Sequence, residues 1–180
     1  MGWRSPVWPR PSGGLACIAV GRCPVERTAR CACGGFRAIV SGEPLRVTIC
    51  HCGACQRRSG VPWTCNAHYR KSDVRLEGEH KVYTRDGQEG RKLRHHFCPE
   101  CGTTVCWTGE KFPDLYGVVV GAFADPAYPA PTASVFEDSM HPWVVLPPGI
   151  ERFPQGRPAN LMATRTAVPA AAGTTPLSGR

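Results

Sequence analysis

Seven cysteines in three short clusters constrain this chain more than anything else in it: Cys31-Ala32-Cys33-Gly34, Cys50-His51-Cys52-Gly53-Ala54-Cys55 and Cys98-Pro99-Glu100-Cys101-Gly102. Thiols at such spacing, each beside Gly or Pro, read as zinc ligands, which a chain of this length can use to fasten a small core. The clusters also divide unequally. Four protein thiolates close a tetrahedral zinc site, whereas three leave a position for a substrate.

A disulfide framework is the competing use of these residues. It calls for an oxidising compartment, yet the opening Met1-Gly2-Trp3-Arg4-Ser5-Pro6-Val7-Trp8-Pro9-Arg10-Pro11 is broken by prolines, and the apolar run 15–20 is too short for a secretory signal. Cysteines one residue apart would close a strained ring, and the total of 11 leaves at least one thiol unpaired. The reading is a reduced, cytoplasmic protein that binds metal. No membrane segment is expected.

The knuckle Cys98-Pro99-Glu100-Cys101-Gly102 has a two-residue spacer that turns both sulfurs toward one metal about 2.3 Å away, and Gly102 allows the tight turn that follows. It needs two more thiolates. The pair Cys31 and Cys33 supplies them, so Cys31, Cys33, Cys98 and Cys101 form an expected structural zinc site. Cys50, Cys52 and Cys55 remain for a second, catalytic-type zinc, giving two zinc ions per chain. His51, between two ligands, is expected to point away as a packing residue. Zinc with three thiolates carries a formal charge of −1; it is a poor Lewis acid but keeps a bound sulfur nucleophilic, which suits thiol chemistry. Arg57 and Arg58 follow at once and either offset that charge or form a solvated pair.

Between the clusters the chain reads as short strands. Leu45, Val47 and Ile49 alternate and deliver Cys50 at the strand end. Similar stretches cover 36–40, 61–67, 74–76, 81–84, 92–97, 103–108, 115–122 and 133–136, separated by Ser41-Gly42, Glu77-Gly78, Asp86-Gly87 and Gly109. No helical period competes. The expectation is an all-β domain of short antiparallel strands, a sandwich, barrel or folded sheet, with zinc sites fastening strand ends. Proline-rich or aperiodic ends suggest three parts: a disordered extension over 1–28, a zinc-binding β domain over 29–155 and a disordered tail over 156–180.

The net charge of +8 raises the question of nucleic acid. Residues 30–153 hold 15 Lys or Arg against 13 Asp or Glu, a net of +2, while each end contributes +3. Excess charge on the ends argues for solvated tails and against a nucleic-acid footprint on the folded face. Of the other cysteines, Cys65 and Cys106 are expected in the core, and Cys17 and Cys23 have no evident partner. Trp63, Trp107 and Trp143 are expected as core or pocket walls, and His95 and His96 on opposite faces of a strand in ordinary surface or core roles.

Taken in order, Cys31-Ala32-Cys33-Gly34-Gly35, Cys50-His51-Cys52 with Cys55 and Ser59-Gly60, Phe97-Cys98 with Cys101-Gly102-Thr103, and Pro142-Trp143-Val144 resemble the glutathione-dependent formaldehyde-activating enzyme family, which includes centromere protein V. The likeness spans about 30–153. It implies a β-tent fold, a structural zinc on Cys31, Cys33, Cys98 and Cys101, and a catalytic-type zinc on Cys50, Cys52 and Cys55. It also implies carbon–sulfur lyase activity on a small-molecule thiol and aldehyde, such as glutathione and formaldehyde. The substrate thiol would occupy the open zinc position, lose its proton and add to the aldehyde carbon, or the adduct would be cleaved. A non-enzymatic zinc-stabilised binding module with basic tails is the alternative, and a fourth protein ligand on the Cys50 cluster would favour it.

Overall fold

Alternation of apolar and polar residues carries much of the chain into strands in the computed structural model, which describes residues 25–87 and 90–158. In chain order these are β1 (Glu26–Arg30), β2 (Arg37–Ser41), β3 (Arg46–Cys50), β4 (Thr64–Arg70), β5 (Val74–Glu77), β6 (Lys81–Asp86), β7 (Lys92–Phe97), β8 (Thr104–Gly109), β9 (Phe112–Val119), β10 (Ala133–Val135) and β11 (Glu151–Phe153). One short helix, α1 (Gly53–Ser59), follows β3.

The strands form two sheets, one ordered β1-β2-β5 and one ordered β11-β10-β3-β4-β9-β8-β7-β6. The all-β class is as expected, and neighbouring strands run antiparallel except where β10 pairs in parallel with β3 and with β11. Ala29, Phe36, Ala38 and Val40 of the first sheet and the β1–β2 turn meet Val47, Ala67, Tyr69, Cys106 and Val118 of the second in one core. Full burial of a side chain such as Phe36 stabilises the packed state by roughly 1.5–3 kcal/mol. Tyr69 and Tyr128 close the core's edge through a 2.6 Å hydroxyl contact.

Because side chains alternate along a strand, the same elements present a second set of residues on the opposite face: Thr48 from β3, Asn66 and His68 from β4, Trp107 from β8 and His95 from β7. These do not face bulk solvent. They form the floor of a cavity, so the large sheet is apolar toward the small sheet and polar toward the cavity.

Several details differ from the sequence reading. β1 is a strand although its residues are mostly charged, because its single core residue, Ala29, is all that the pairing with β2 needs to bury. The strand expected over 115–122 starts at Phe112 and gives way to a 3-10 turn at Val120–Phe123, and the one expected over 61–67 is displaced to Thr64–Arg70. Trp143 is 62% exposed, tilted against His141 and edge-on to Trp63, so it is neither core nor cavity wall. Most of the two ends expected to be disordered, together with Cys17 and Cys23, lies outside the described residues.

Candidate active site

The turn after β1 and the turn after β7 bring four cysteines together. Cys31 Sγ is 3.5 Å from Cys33 Sγ, and Cys33 Sγ is 3.5 Å from Cys98 Sγ; with Cys101 all four sulfurs lie within 4.8 Å of one another. In a tetrahedral zinc site with bonds of about 2.3 Å, sulfurs stand about 3.8 Å apart, so this donor set fits zinc in number, chemistry and spacing. Gly102, at φ 71°, makes the turn and donates its N–H to the Cys98 carbonyl at 3.0 Å. The Thr103 hydroxyl, 3.3 Å from the Cys101 sulfur, and its backbone N–H hold that thiol down to about 5, in the thiolate form a metal requires.

The second cluster is local. β3 ends at Cys50, and Cys52 caps α1, its sulfur accepting the Cys55 N–H at 3.4 Å. That cap starts the helix and turns Cys55 back toward the other two, so the three sulfurs lie within 4.8 Å of one another. The helix was not anticipated: seven residues with only Cys55 buried show no apolar period. Cys55 is the thiolate of the group, held down to about 2 by the Cys50 and Cys52 thiols, the Thr64 hydroxyl and the charge of Arg58. Sharing hydrogen bonds with Cys52 and Cys55, and burial, push Cys50 well up. Three sulfurs at this spacing also suit zinc.

Among the described residues no histidine nitrogen or carboxylate joins this cluster. His51 is fully buried with neither ring nitrogen hydrogen-bonded, and it lies outside the sulfur group. Cys50, Cys52 and Cys55 instead line a cavity of about 420 Å³ with Thr48, Asn66, His68, His95 and Trp107 as floor and Phe112 and Phe136 as apolar wall. Its cationic side chains are Arg58, Arg85, Arg91, Lys92, Lys111 and Arg157, and no acidic residue lines it among the described residues. Lys92 pairs with Asp86, and Arg157 pairs with Glu151 at 2.7 Å.

Two histidines line the cavity in neutral form. Burial pushes His68 down to about 4; burial and the charges of Arg58 and Arg85 do the same to His95, whose Nε2 accepts from Arg85 Nε at 3.3 Å. His95 and His96 do point to opposite faces, but His95 belongs to the cavity, while His96 packs near His80 and Tyr116. Arg58 lines the cavity and Arg57 is exposed.

Thr64, Asn66 and His68 were missed by the sequence reading. A signal existed: in Thr64-Cys65-Asn66-Ala67-His68-Tyr69 polar residues alternate with core residues, yet all three polar ones are buried.

With the sites in place, comparison with known families is decisive. A family model for the glutathione-dependent formaldehyde-activating enzyme matches residues 26–139, from β1 through both cysteine clusters to the turn after β10. The chain belongs to the glutathione-dependent formaldehyde-activating enzyme family. A solved crystal structure of a Rhodobacter sphaeroides protein is similar at 29% sequence identity, with a TM-score of 0.44, over 55% of this chain and 91% of that one. Comparison with curated proteins gives no match. Membership associates the chain with glutathione-dependent formaldehyde activation and with these two small molecules as partners, and its two cysteine clusters could hold metal ions. No helix among the described residues is long and apolar enough to cross a membrane.

Proposed function

We propose that this protein is a cytoplasmic zinc-dependent carbon–sulfur lyase that adds a thiol such as glutathione to an aldehyde such as formaldehyde, or cleaves such an adduct, within a β domain over 29–155. The observation that carries the reading is the Cys50, Cys52 and Cys55 cluster: three sulfurs, no fourth protein donor among the described residues, and a cationic cavity directly in front of them. Cys31, Cys33, Cys98 and Cys101 would hold a structural zinc, and Cys50, Cys52 and Cys55 a catalytic one. When bound at the three-cysteine site, zinc would supply a position that favours a substrate thiol as thiolate and keeps its sulfur nucleophilic.

The chain's own residues account for the rest. Arg58, Arg85 and Lys111 offer positive charge to the carboxylates of an anionic thiol. Trp107, Phe112 and Phe136 cover apolar surface and exclude water. In the addition, the thiol S–H bond breaks, a carbon–sulfur bond forms, and the aldehyde oxygen takes up the proton. Negative charge thus passes from sulfur to oxygen inside a cationic wall that stabilises both ends. His68 and His95, neutral at physiological pH, neither repel the guanidinium groups nor compete for the substrate's charge.

Elemental analysis of reduced, purified protein tests the reading. Two zinc ions per chain are expected, with Cys50, Cys52 and Cys55 protected from a thiol reagent. One ion per chain, with those three cysteines freely alkylated, would remove the catalytic site and leave the structural one.

A further inference from the structure

Three parallel strands end side by side: Cys50 of β3, Val135 of β10 and Phe153 of β11 are register partners, each one strand from the next. The chain leaving β11 is therefore delivered to the cavity in front of Cys50, two strand spacings or about 10 Å away. Backbone bonds hold it there, the Phe136 N–H donating to the Gln155 carbonyl and the Asp138 N–H to the Pro154 carbonyl, each at 3.2 Å. Arg157, which follows, lines the cavity and lies beyond the residues 26–139 that the family model matches.

A guanidinium carries five N–H donors, and its charge makes them costly to bury unpaired. The Arg157 side chain is 4% exposed, and its Nη2 pairs at 2.7 Å with Glu151, which is 42% exposed. The guanidinium carbon lies 5.6 Å from the centre of the Phe153 ring. Nε and Nη1, which carry three of the five N–H bonds, have no hydrogen-bond partner among the described residues. Glu151 and Phe153 thus orient the group, while solvent screens the charge of Glu151. What results is a buried, oriented cation with spare donors on the wall of the cavity that holds three sulfurs, and this chemistry recognises a carboxylate.

We propose that Arg157 is a specificity-determining residue of this cavity, taking a carboxylate of the substrate thiol about two strand spacings from its sulfur. The inference rests on the thiol-site reading above and narrows it to thiols whose carboxylate stands several bonds from sulfur, as in a short peptide such as glutathione. A small neutral thiol leaves the buried donors unpaired and gains nothing from them. Arg58, Arg85 and Lys111 are half-buried and add charge to the wall, whereas a guanidinium already held on two sides loses little side-chain freedom on binding.

The test is calorimetric titration of the reduced full chain with S-methylglutathione, whose capped sulfur has no proton to lose, and with two analogues of it, each with one carboxylate replaced by a carboxamide. Wild type is compared with Arg157→Met, and thermal unfolding is measured on both. Wild type should bind the parent ligand, and one carboxamide should bind about 10-fold or more weaker. Arg157→Met should lose a similar factor on the parent ligand and nothing further on that carboxamide. Unchanged parent binding by a folded Arg157→Met overturns the proposal and leaves the thiol-site reading standing. Equal weakening of all three ligands in that variant, which would reveal packing alone, overturns it too. So does equal binding of all three by wild type, a result that needs no variant to fold. A wild type that binds none of the three overturns the reading of a glutathione-like thiol itself, and the proposal with it.

Discussion

Cys33 and Cys98, 65 residues apart in the chain, place their sulfurs 3.5 Å from each other, tying the turn after β1 to the knuckle after β7. One strand belongs to the three-stranded sheet and the other to the eight-stranded sheet, so this contact is also where the two layers are fastened. Metal binding here closes a long loop, and on the order of 10 kcal/mol of binding free energy is coupled to folding in structural zinc sites. Cys98→Ser should therefore unfold or aggregate the protein. A soluble Cys98→Ser chain with unchanged thermal stability would show that the four sulfurs do not share a metal.

Gly117 should not accept a side chain. A Cβ there would meet Trp107 Cε2 at 2.2 Å and Nε1 at 2.3 Å, so Gly117→Ala has to displace the indole from the cavity floor. The expected cost is about 1–3 kcal/mol, with a change in tryptophan fluorescence as the ring leaves Asn66. A variant with the unfolding temperature and emission spectrum of the wild type would contradict this packing.

His68 should make stability depend on pH. Its folded value, about 4, lies below the 6.5 of an unperturbed histidine, so between these values the unfolded chain binds more protons. Stability contributed by the neutral, buried ring is present above pH 6.5 and is lost as pH falls toward 4, by up to about 3 kcal/mol. Chemical denaturation of wild type and His68→Gln across that range should show a shallower acid slope in the variant. Parallel slopes would mean that His68 is not buried in neutral form.

The cysteine clusters and most strands were legible because each is written locally. Metal-ligand residues sit two or three positions apart, and alternation in segments such as 45–50 needs no distant partner. α1 was not legible, since a sulfur cap on Cys55 rather than an apolar face holds it. β11, only three residues long, forms on the parallel edge offered by β10. The cavity was hidden for a different reason. Asn66, His68 and Trp107 occupy the polar phase of their strands, which in isolation reads as a solvent face, and Arg58, Arg85 and Arg157 converge on it from three parts of the chain.

The central claim, that Cys50, Cys52 and Cys55 form a centre for carbon–sulfur chemistry, is tested most directly by the rate at which glutathione and formaldehyde exchange with their adduct. That rate can be read by carbon-13 exchange NMR in the presence of zinc-loaded wild type or Cys52→Ser. Cys52→Ser disturbs one local cluster and closes little chain entropy, so it should lose the second zinc while keeping the thermal transition of the fold. The account predicts exchange above the uncatalysed rate with wild type and none above it with Cys52→Ser. Equal acceleration by both proteins, or none by either, would contradict it.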